Sequence, residues 1–250
     1  MPHMTRRRFL LTLLLAIPAG QAQANWWERG QQLLRGITGG STTTSGLTQA
    51  EIIDGLREAL RIGTDNVVSR LGAPGGFLND PRVRIPLPYG LTRAQEQLSR
   101  IGLSGMLDDL EVRMNRAAEA ATPRARALFV NAIRDMSIQD AQSILNGPDD
   151  AATRYFESRM REPLGTEMRP IVDETLSEAG AVRVHDDLMR RYRSIPFLPE
   201  VDTDLSGHVV GRALDGVFHY LAVEETAIRQ DPARRTTELL RKVFGSGGLK

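Results

Sequence analysis

The chain has 250 residues, of which 25% are charged and 41% hydrophobic, and its formal net charge is +1. These values are ordinary for a globular protein, and the small net charge argues against the strongly basic surface that binds nucleic acid. Cysteine is absent, which excludes disulfides, thiol nucleophiles and thiolate metal sites. The length is sufficient for one large domain or two small ones.

The first 24 residues have the layout of a secretory signal peptide. Arginines at positions 6–8 precede an apolar core from Phe9 to Ile17, and Ala22-Gln23-Ala24 supplies the small residues that signal peptidase accepts. The apolar core is about half as long as a transmembrane helix, which favours cleavage over a retained anchor. We therefore predict cleavage after Ala24 and a periplasmic location for the mature protein.

The leader also matches the twin-arginine export pattern, from Thr5 to Leu10. Leu11 stands where a lysine is common, and the leucine-rich core equally suits the general secretory route, so both routes stay open. Removal of the three leader arginines gives the mature chain a formal charge of about −2. This value also argues against nucleic acid as a partner.

Residues 25–46 form an N-terminal segment and a linker. Trp26 and Trp27 precede apolar residues at helical spacing up to Ile37. This segment is either a foot on the membrane surface, since tryptophan suits the lipid interface, or a stretch that docks on the domain or stays unstructured. Membrane contact is predicted only here. Residues 38–46 are all Gly, Ser or Thr, which predicts a flexible linker.

Helical signals dominate residues 47–245 and predict one all-α globular domain of eight or nine helices. Thr48 and Glu51 form a capping box that opens a helix ending at Gly72. Residues 73–90 break the helical pattern, and from Arg82 to Pro88 apolar residues alternate with arginine and proline. Because proline is excluded from central strands, this alternation predicts an extended proline-rich arm across helices, or one short edge strand.

The remaining helices are predicted from their start signals. Thr122 before Pro123 is typical of an N-cap followed by a first-turn proline, which predicts a break between two helices near Ala121. A separate helix is also predicted after Met160, and residues 246–250 are a short tail. The predicted starts are Thr92, Ser104, Thr122, Ser137, Asp149 or Asp150, Gly165, Val182, Asp204 and Asp231.

Three stretches together carry a family resemblance. They are residues 75–88, with the sequence Gly-Gly-Phe-Leu-Asn-Asp-Pro-Arg-Val-Arg-Ile-Pro-Leu-Pro, then residues 145–156 and residues 213–245. From about Leu47 to Gly245 the chain resembles the bacterial exported domain-of-unknown-function family 4197. The resemblance implies an exported helical protein with no assigned activity, ligand or partner. It supplies no catalytic residues that could be transferred to this chain.

Motifs for metal binding and catalysis are incomplete. The stretch from Asp202 to Ala213 opens like a calcium-binding EF-hand loop, but its twelfth position is alanine rather than a bidentate glutamate. We therefore predict that Asp204 is a helix N-cap. His208 and His219 lie about 16 Å apart on one predicted helix, too far for one metal. A serine-nucleophile elbow and a phosphate loop are also missing, so no metal, cofactor or catalytic set is predicted.

The long C-terminal helix carries the most informative acidic residue. Glu224 falls on an apolar seam, and burial of a lone carboxylate costs several kcal/mol. We predict that Glu224 is buried against Arg234 or Arg235 and fixes the last two helices. The alternative is a functional carboxylate in a cleft flanked by Asp215 and Glu225. The apolar residues of the seam are Val210, Leu214, Val217, Leu221 and Ile228.

The favoured function is an exported soluble helical module that binds a protein partner or small ligand without catalysis. One alternative is a carboxylate-based hydrolase or metal-dependent enzyme, and another is a peripheral membrane protein that docks through Trp26 and Trp27. Residues of the polar loops 79–82 and 146–150 are counted among the candidate binding residues because loops on rigid scaffolds often carry function. Helix capping and turn formation explain these loops equally well. The candidate binding residues are Asp80, Arg82, Asp149, Asp150, Asp215, Glu224, Glu225, Arg229, Arg234 and Arg235.

Overall fold

A computed structural model describes residues 47–100, 102–137, 141–194 and 204–245. The predictions for the leader, the tryptophan segment, the linker and the C-terminal tail lie outside these residues. Within them the chain is all-α, as predicted, with eight α-helices and one 3-10 helix, and none of these helices is long and apolar enough to span a bilayer. The helices are α1 Gln49–Leu71, α2 Tyr89–Arg100, α3 Ser104–Arg134, α4 Ala141–Leu145, α5 Ala151–Glu178, α6 Ala181–Arg193, α7 Leu205–Gln230, the 3-10 helix Pro232–Arg234 and α8 Glu238–Gly245.

Two predicted helix caps are confirmed. The Thr48 hydroxyl accepts the Glu51 N–H at 3.2 Å, and the Glu51 carboxylate accepts the Thr48 N–H at 2.9 Å, which completes the capping box of α1. Asp204 accepts the Gly207 N–H at 2.9 Å and caps α7. These side chains satisfy backbone N–H groups that the first turn of a helix leaves without partners.

The predicted break at Thr122-Pro123 is wrong, because α3 is continuous through both residues. The Thr122 hydroxyl is buried and donates to the Ala118 carbonyl at 2.8 Å, so it does not cap a new helix. Ala121 and Ala125, on either side of the proline, are fully buried. Packing of this segment therefore outweighs the cost of about 3 kcal/mol that an interior proline imposes on a helix.

The separate helix predicted near Gly165 is also wrong, because α5 continues through Pro163 and Pro170. One apolar face spans the two prolines and keeps the helix in the core. Gly165 lies on this face, with side-chain atoms of α7 within ordinary contact distance of where its Cβ would stand. The buried residues of the face are Leu164, Met168, Val172 and Leu176.

Two other helix starts differ from their predicted positions. Helix α2 begins at Tyr89, and the Thr92 hydroxyl donates to the Leu87 carbonyl at 3.2 Å from inside the first turn. Asp231 accepts the Ala233 N–H at 2.9 Å and caps only the 3-10 helix. The last α-helix begins later, where the Thr237 hydroxyl accepts a backbone N–H of the first turn. Short polar residues near a helix start thus mark its position only to within a few residues.

The core is built around α3, α5 and α7, with α1 packed against α3 and α7. Aromatic side chains of the other two central helices both contact Phe218 of α7. The ring of Phe218 on α7 lies edge-on to Phe129 of α3, at 6.4 Å between centroids, and to Phe156 of α5, at 6.0 Å. Such edge-to-face pairs stabilise a core beyond the area that they bury.

The predicted extended arm is confirmed. Residues 72–83 form successive turns, and residues 84–88 have neither helix nor strand pairing, so the edge-strand alternative is wrong. Val83, Ile85 and Leu87 are buried, while the residues between them are exposed. The arm thus buries alternate side chains against helices rather than against a sheet.

Candidate functional site

The arm is held on one side by polar side chains of α3. Glu111, Asn115 and a third residue, Glu119, are spaced by four, which places them on one face of the helix. The Asn115 amide accepts the Ile85 N–H at 2.9 Å and donates to the Ile85 carbonyl at 2.8 Å. The Glu111 carboxylate accepts from Nε of Arg84 at 2.6 Å. The same face of α3 thus binds the backbone of Ile85 and the exposed side chain of Arg84.

Glu119 binds the first turn of the arm. One of its carboxylate oxygens accepts the backbone N–H groups of Phe77 and Leu78 at 3.2 and 3.1 Å. Glu119 is buried, and backbone donors of this kind satisfy a carboxylate that could not be left without partners in the interior. Glu119 is not among the residues predicted from the sequence.

Helix α7 holds the other side of the arm. The Nε2 atom of His208 lies 2.8 Å from the Pro86 carbonyl oxygen. At Gly216, a Cβ atom would stand 3.0 Å from the ring of Phe77 and 3.2 Å from Val83, so glycine permits the close approach of the arm. We call the residues that contact the arm in this way the arm seat: Glu111, Asn115, Glu119, His208, Gly216 and Tyr220.

Tyr220 joins the arm seat to a charged cluster at Asp80. Its hydroxyl donates to the Asp80 carboxylate, which also accepts from the Arg70 guanidinium at 3.1 Å and from the Arg82 N–H at 3.1 Å. The Tyr220 hydrogen bond holds the pKa of Asp80 below its ordinary value, while burial raises the pKa of Tyr220. Asp80 and Arg82 therefore lie together, as predicted, and Asp80 fixes the predicted turn of the arm.

Glu225 of α7 forms a second polar centre. Its side chain is buried against the first residues of α5. One carboxylate oxygen accepts the Ala152 N–H at 2.9 Å, and the other accepts both the N–H and the hydroxyl of Thr153 at 2.7 Å. The carboxylate thus caps a helix that lies far away in sequence. Its negative charge also interacts favourably with the positive end of the α5 dipole.

Arg229 completes this centre from the next turn of α7. Its guanidinium lies 2.8 Å from the Glu225 carboxylate, and each of the two side chains is only 2% exposed. It also donates to the carbonyls of Ile144 and Leu145 at 3.1 and 3.2 Å, where α4 ends. We call Glu225 and Arg229 the double cap, because together they bind the end of one helix and the start of the next.

The predicted burial of Glu224 is wrong. Glu224 is half-buried and accepts from the amide of Asn66 at 2.9 Å. Counted from Leu221 at about 100° per residue, Glu224 lies about 60° to one side of the seam and Glu225 about 40° to the other. The helix ends that need capping lie on the Glu225 side, so the neighbouring acid is the buried one.

The two arginines proposed as partners of Glu224 have other positions. Nε of Arg235 donates to the Ile228 carbonyl at 3.0 Å, and its terminal nitrogen donates to the Arg229 carbonyl at 2.7 Å. It therefore binds the last turn of α7, where carbonyl groups lack helical partners. Arg234 is exposed in the 3-10 helix. Neither arginine pairs with Glu224.

Helix α7 also binds the loop at residues 146–150. Asp149 accepts from the amide of Gln230, while Asp150 pairs with Arg154 at 2.7 Å. Asp150 stands at the N-cap position of α5 without a side-chain capping bond. The predicted capping by Asp149 or Asp150 is therefore wrong, since Glu225 takes that role.

The acids of α7 do not converge on a common cleft. Asp215 is 51% exposed and pairs with Arg161 of α5 at 2.7 Å, whereas Glu224 faces α1 and Glu225 the start of α5. Among the described residues, no group of three or more His, Asp or Glu side chains is placed to hold a metal ion. Whether any of the predicted residues binds a ligand stays a prediction.

Sequence reasoning missed the residues that hold the arm, chiefly Asn115, Glu119 and Tyr220. Asn115 and Glu119 lie four apart among buried residues of α3, including Met114 and Ala118. Polar residues that interrupt an apolar helix face are the same signal that drew attention to Glu224. Applied to α3, it would have identified two of the three.

Comparisons with known proteins agree with the resemblance carried by the three sequence stretches. No curated protein and no solved structure gives a significant match to the chain. One family model matches residues 46–245, which is most of the chain. The chain therefore belongs to the family described as protein of unknown function, DUF4197.

Proposed function

We propose that this protein is exported to the periplasm and acts as a non-catalytic helical module that binds a protein partner. The observation that carries the proposal is Tyr89, which is 73% exposed at the start of α2. The guanidinium of Arg93 lies over its ring, 5.5 Å from the centroid. Tyrosine and arginine are enriched among the residues that dominate binding energy at protein interfaces.

The pair also defines the chemistry of the partner. An exposed tyrosine ring offers an apolar face and a hydroxyl at low entropic cost, and arginine binds carboxylates through a planar fork of donors. A partner with an apolar pocket for Tyr89 and a carboxylate beside it for Arg93 fits this surface. The aspartate and glutamate side chains considered for hydrolysis instead bind other residues of the domain.

The contacts that these three acids make within the domain support a binding function over hydrolysis. A hydrolase of the predicted kind needs two carboxylates that face one substrate. Asp215, Glu224 and Glu225 bind three different parts of the domain, as described above. The membrane-docking alternative depends on Trp26 and Trp27, which lie outside the described residues and stay a prediction.

Site-specific photocrosslinking in cells tests the partner proposal. The photoreactive amino acid p-benzoylphenylalanine replaces Tyr89 in one variant and Val182, which is 41% exposed on α6, in the matched control. We expect a discrete crosslinked protein at position 89 but not at position 182, and its loss when Arg93→Ala is added. Absence of an adduct at position 89, or the same adducts at both positions, would contradict the proposed surface.

Export is tested separately. Mass spectrometry of the periplasmic protein should find an N-terminus at Asn25, and the replacements Arg6→Lys and Arg7→Lys should block export only if the twin-arginine route is used. Protein recovered from the cytoplasm with an intact start would refute the predicted leader.

A further inference from the structure

We propose that the outward face of the arm extends the Tyr89 surface and binds an extended acidic segment of the same partner protein. This segment carries a carboxylate near each end and apolar side chains between them. We call the residues that face it the outer strip: Arg84, Pro86, Tyr89 and Arg93. The proposal rests on the proposed function, because it specifies the chemistry of the partner that Tyr89 and Arg93 contact.

The first observation is that the outer strip is accessible while the arm stays in place. Arg84 and Pro86 are exposed, whereas Ile85 and Leu87 are buried. Tyr89 and Arg93 follow on α2, one turn apart and both exposed. A partner therefore reaches all four residues of the strip without displacing any residue from the arm seat.

The second observation is that the backbone beneath the strip is already fixed. Both backbone groups of Ile85 are hydrogen-bonded to Asn115, and the Pro86 carbonyl oxygen lies 2.8 Å from Nε2 of His208. The pyrrolidine ring also fixes the φ angle of Pro86. Because a segment that is ordered before binding loses less entropy on binding, this arrangement favours affinity.

The third observation is the order of side chains along the strip. Arginines stand at its two ends in the sequence, and the rings of Pro86 and Tyr89 come between them. Arg84 remains 48% exposed although its Nε donates to Glu111 at 2.6 Å, and the Arg93 guanidinium lies over the Tyr89 ring. An apolar centre with a polar rim, rich in tyrosine and arginine, is typical of protein interfaces.

Complementary charge and length define the partner segment. Arginine binds carboxylates through its planar fork of donors. The arm from Arg84 to Tyr89 spans at most about 17 Å, and the helical turn to Arg93 adds about 6 Å. About seven residues of an extended chain cover this length. Anionic membranes instead attract clusters of four or more basic residues, whereas the outer strip has two.

Photocrosslinking at two positions tests the continuity of the surface. The amino acid p-benzoylphenylalanine replaces Tyr89 in one variant and Pro86 in another. We expect both positions to capture the same protein. Mass spectrometry of the crosslinked peptides should find aspartate or glutamate within a few residues on each side of the attachment point.

Substitution of Arg84 tests the role of charge. Arg84→Gln should lower the adduct yield at position 89 at least about threefold, as expected for loss of one exposed ion pair. Arg61→Gln is the matched control, because Arg61 is 45% exposed and binds Glu58 through its Nε at 2.9 Å. This control should leave the yield unchanged. Arg84→Glu should abolish the adduct, and lysine in place of the mapped partner acid should restore it, which a folding defect could not explain.

The outcomes separate this proposal from the proposed function. Absence of an adduct at position 89 contradicts the Tyr89 surface and the outer strip with it. An adduct at position 89 combined with a different protein or none at position 86, with equal yields in Arg84→Gln and Arg61→Gln, or with no rescue by lysine overturns only the acidic segment. Flotation with phosphatidylglycerol vesicles that is lost in Arg84→Gln but kept in Arg61→Gln would identify a membrane surface and overturn the proposal.

Discussion

The double cap allows a direct test of what holds the C-terminal half of the domain together. In Glu225→Ala, the Arg229 guanidinium stays buried without its partner, and the first N–H groups of α5 lose their acceptor. Breaking a buried ion pair from one side costs about 3–5 kcal/mol. Because small domains are stable by only about 5–15 kcal/mol, this single change should bring the protein close to unfolding.

Two matched variants show whether stability depends on the negative charge of Glu225 and on its exact position in α7. Glu225→Gln keeps one acceptor oxygen but removes the charge, and should cost about 2 kcal/mol, in the range of charged hydrogen bonds. Glu224→Ala alters the adjacent residue, which is half-buried and bound to one amide. It should cost about 0.5 kcal/mol, as surface substitutions do. The difference in stability loss between Glu225→Ala and Glu224→Ala tests whether Glu225, rather than Glu224, is the buried capping carboxylate.

The assay is urea unfolding followed by circular dichroism, with each free energy taken at an unchanged slope against urea concentration. A double-mutant cycle with Arg229→Ala should show that the two changes together cost less than their sum by about 1–3 kcal/mol. The structural role of the double cap would be refuted by a loss of stability below about 1 kcal/mol in Glu225→Ala, or by an equal loss in Glu224→Ala.

Three further predictions concern the arm and the response to pH. Asn115→Leu should cost about 2–4 kcal/mol in urea unfolding, because both backbone groups of Ile85 lose their partner in the interior. Gly216→Ala should cost about 1–3 kcal/mol through overpacking against the arm, whereas Gly211→Ala, with no atom within 4 Å of the new Cβ, should stabilise α7 by up to about 1 kcal/mol. Burial lowers the pKa of His185 from 6.5, so the unfolded chain binds more protons and stability should fall as the pH drops below about 6.5. The urea midpoint at pH 7.5 and 5.5 should differ less in His185→Gln, and an unchanged difference would contradict this origin.

The fold class could be predicted from the sequence because local signals determine most helices. The capping box at Thr48 and Glu51 and the N-cap at Asp204 depend only on residues within one turn, and both are present in the structure. The arm was predictable for a similar reason, since two prolines two residues apart, among alternating apolar and basic residues, disfavour a helix and exclude a central strand. The turn at Asp80 was also predictable, because the sequence Asn79-Asp80-Pro81 favours a turn by itself.

Features that depend on distant partners could not be predicted in this way. Thr122-Pro123 has the pattern of a helix start, yet burial of the flanking alanines keeps α3 continuous. The sequence placed Glu224 on the seam, but α5 and α4 meet α7 on the other side of Leu221. An offset of one residue changes which carboxylate is buried, and only the three-dimensional position of the helix ends decides it.

The positions of the buried polar groups bear on where function should be sought. Without cysteine, the fold has no disulfides to fasten its irregular segments, and buried side chains on α3 and α7 take that role. Glu119 binds the first turn of the arm, and the double cap binds both ends of the loop at residues 146–150. A carboxylate that accepts from backbone N–H groups is engaged in holding the fold, so it is a poor candidate for acid-base chemistry. Surfaces whose polar groups still face solvent, such as Tyr89 with Arg93, are therefore the better place to look for a partner.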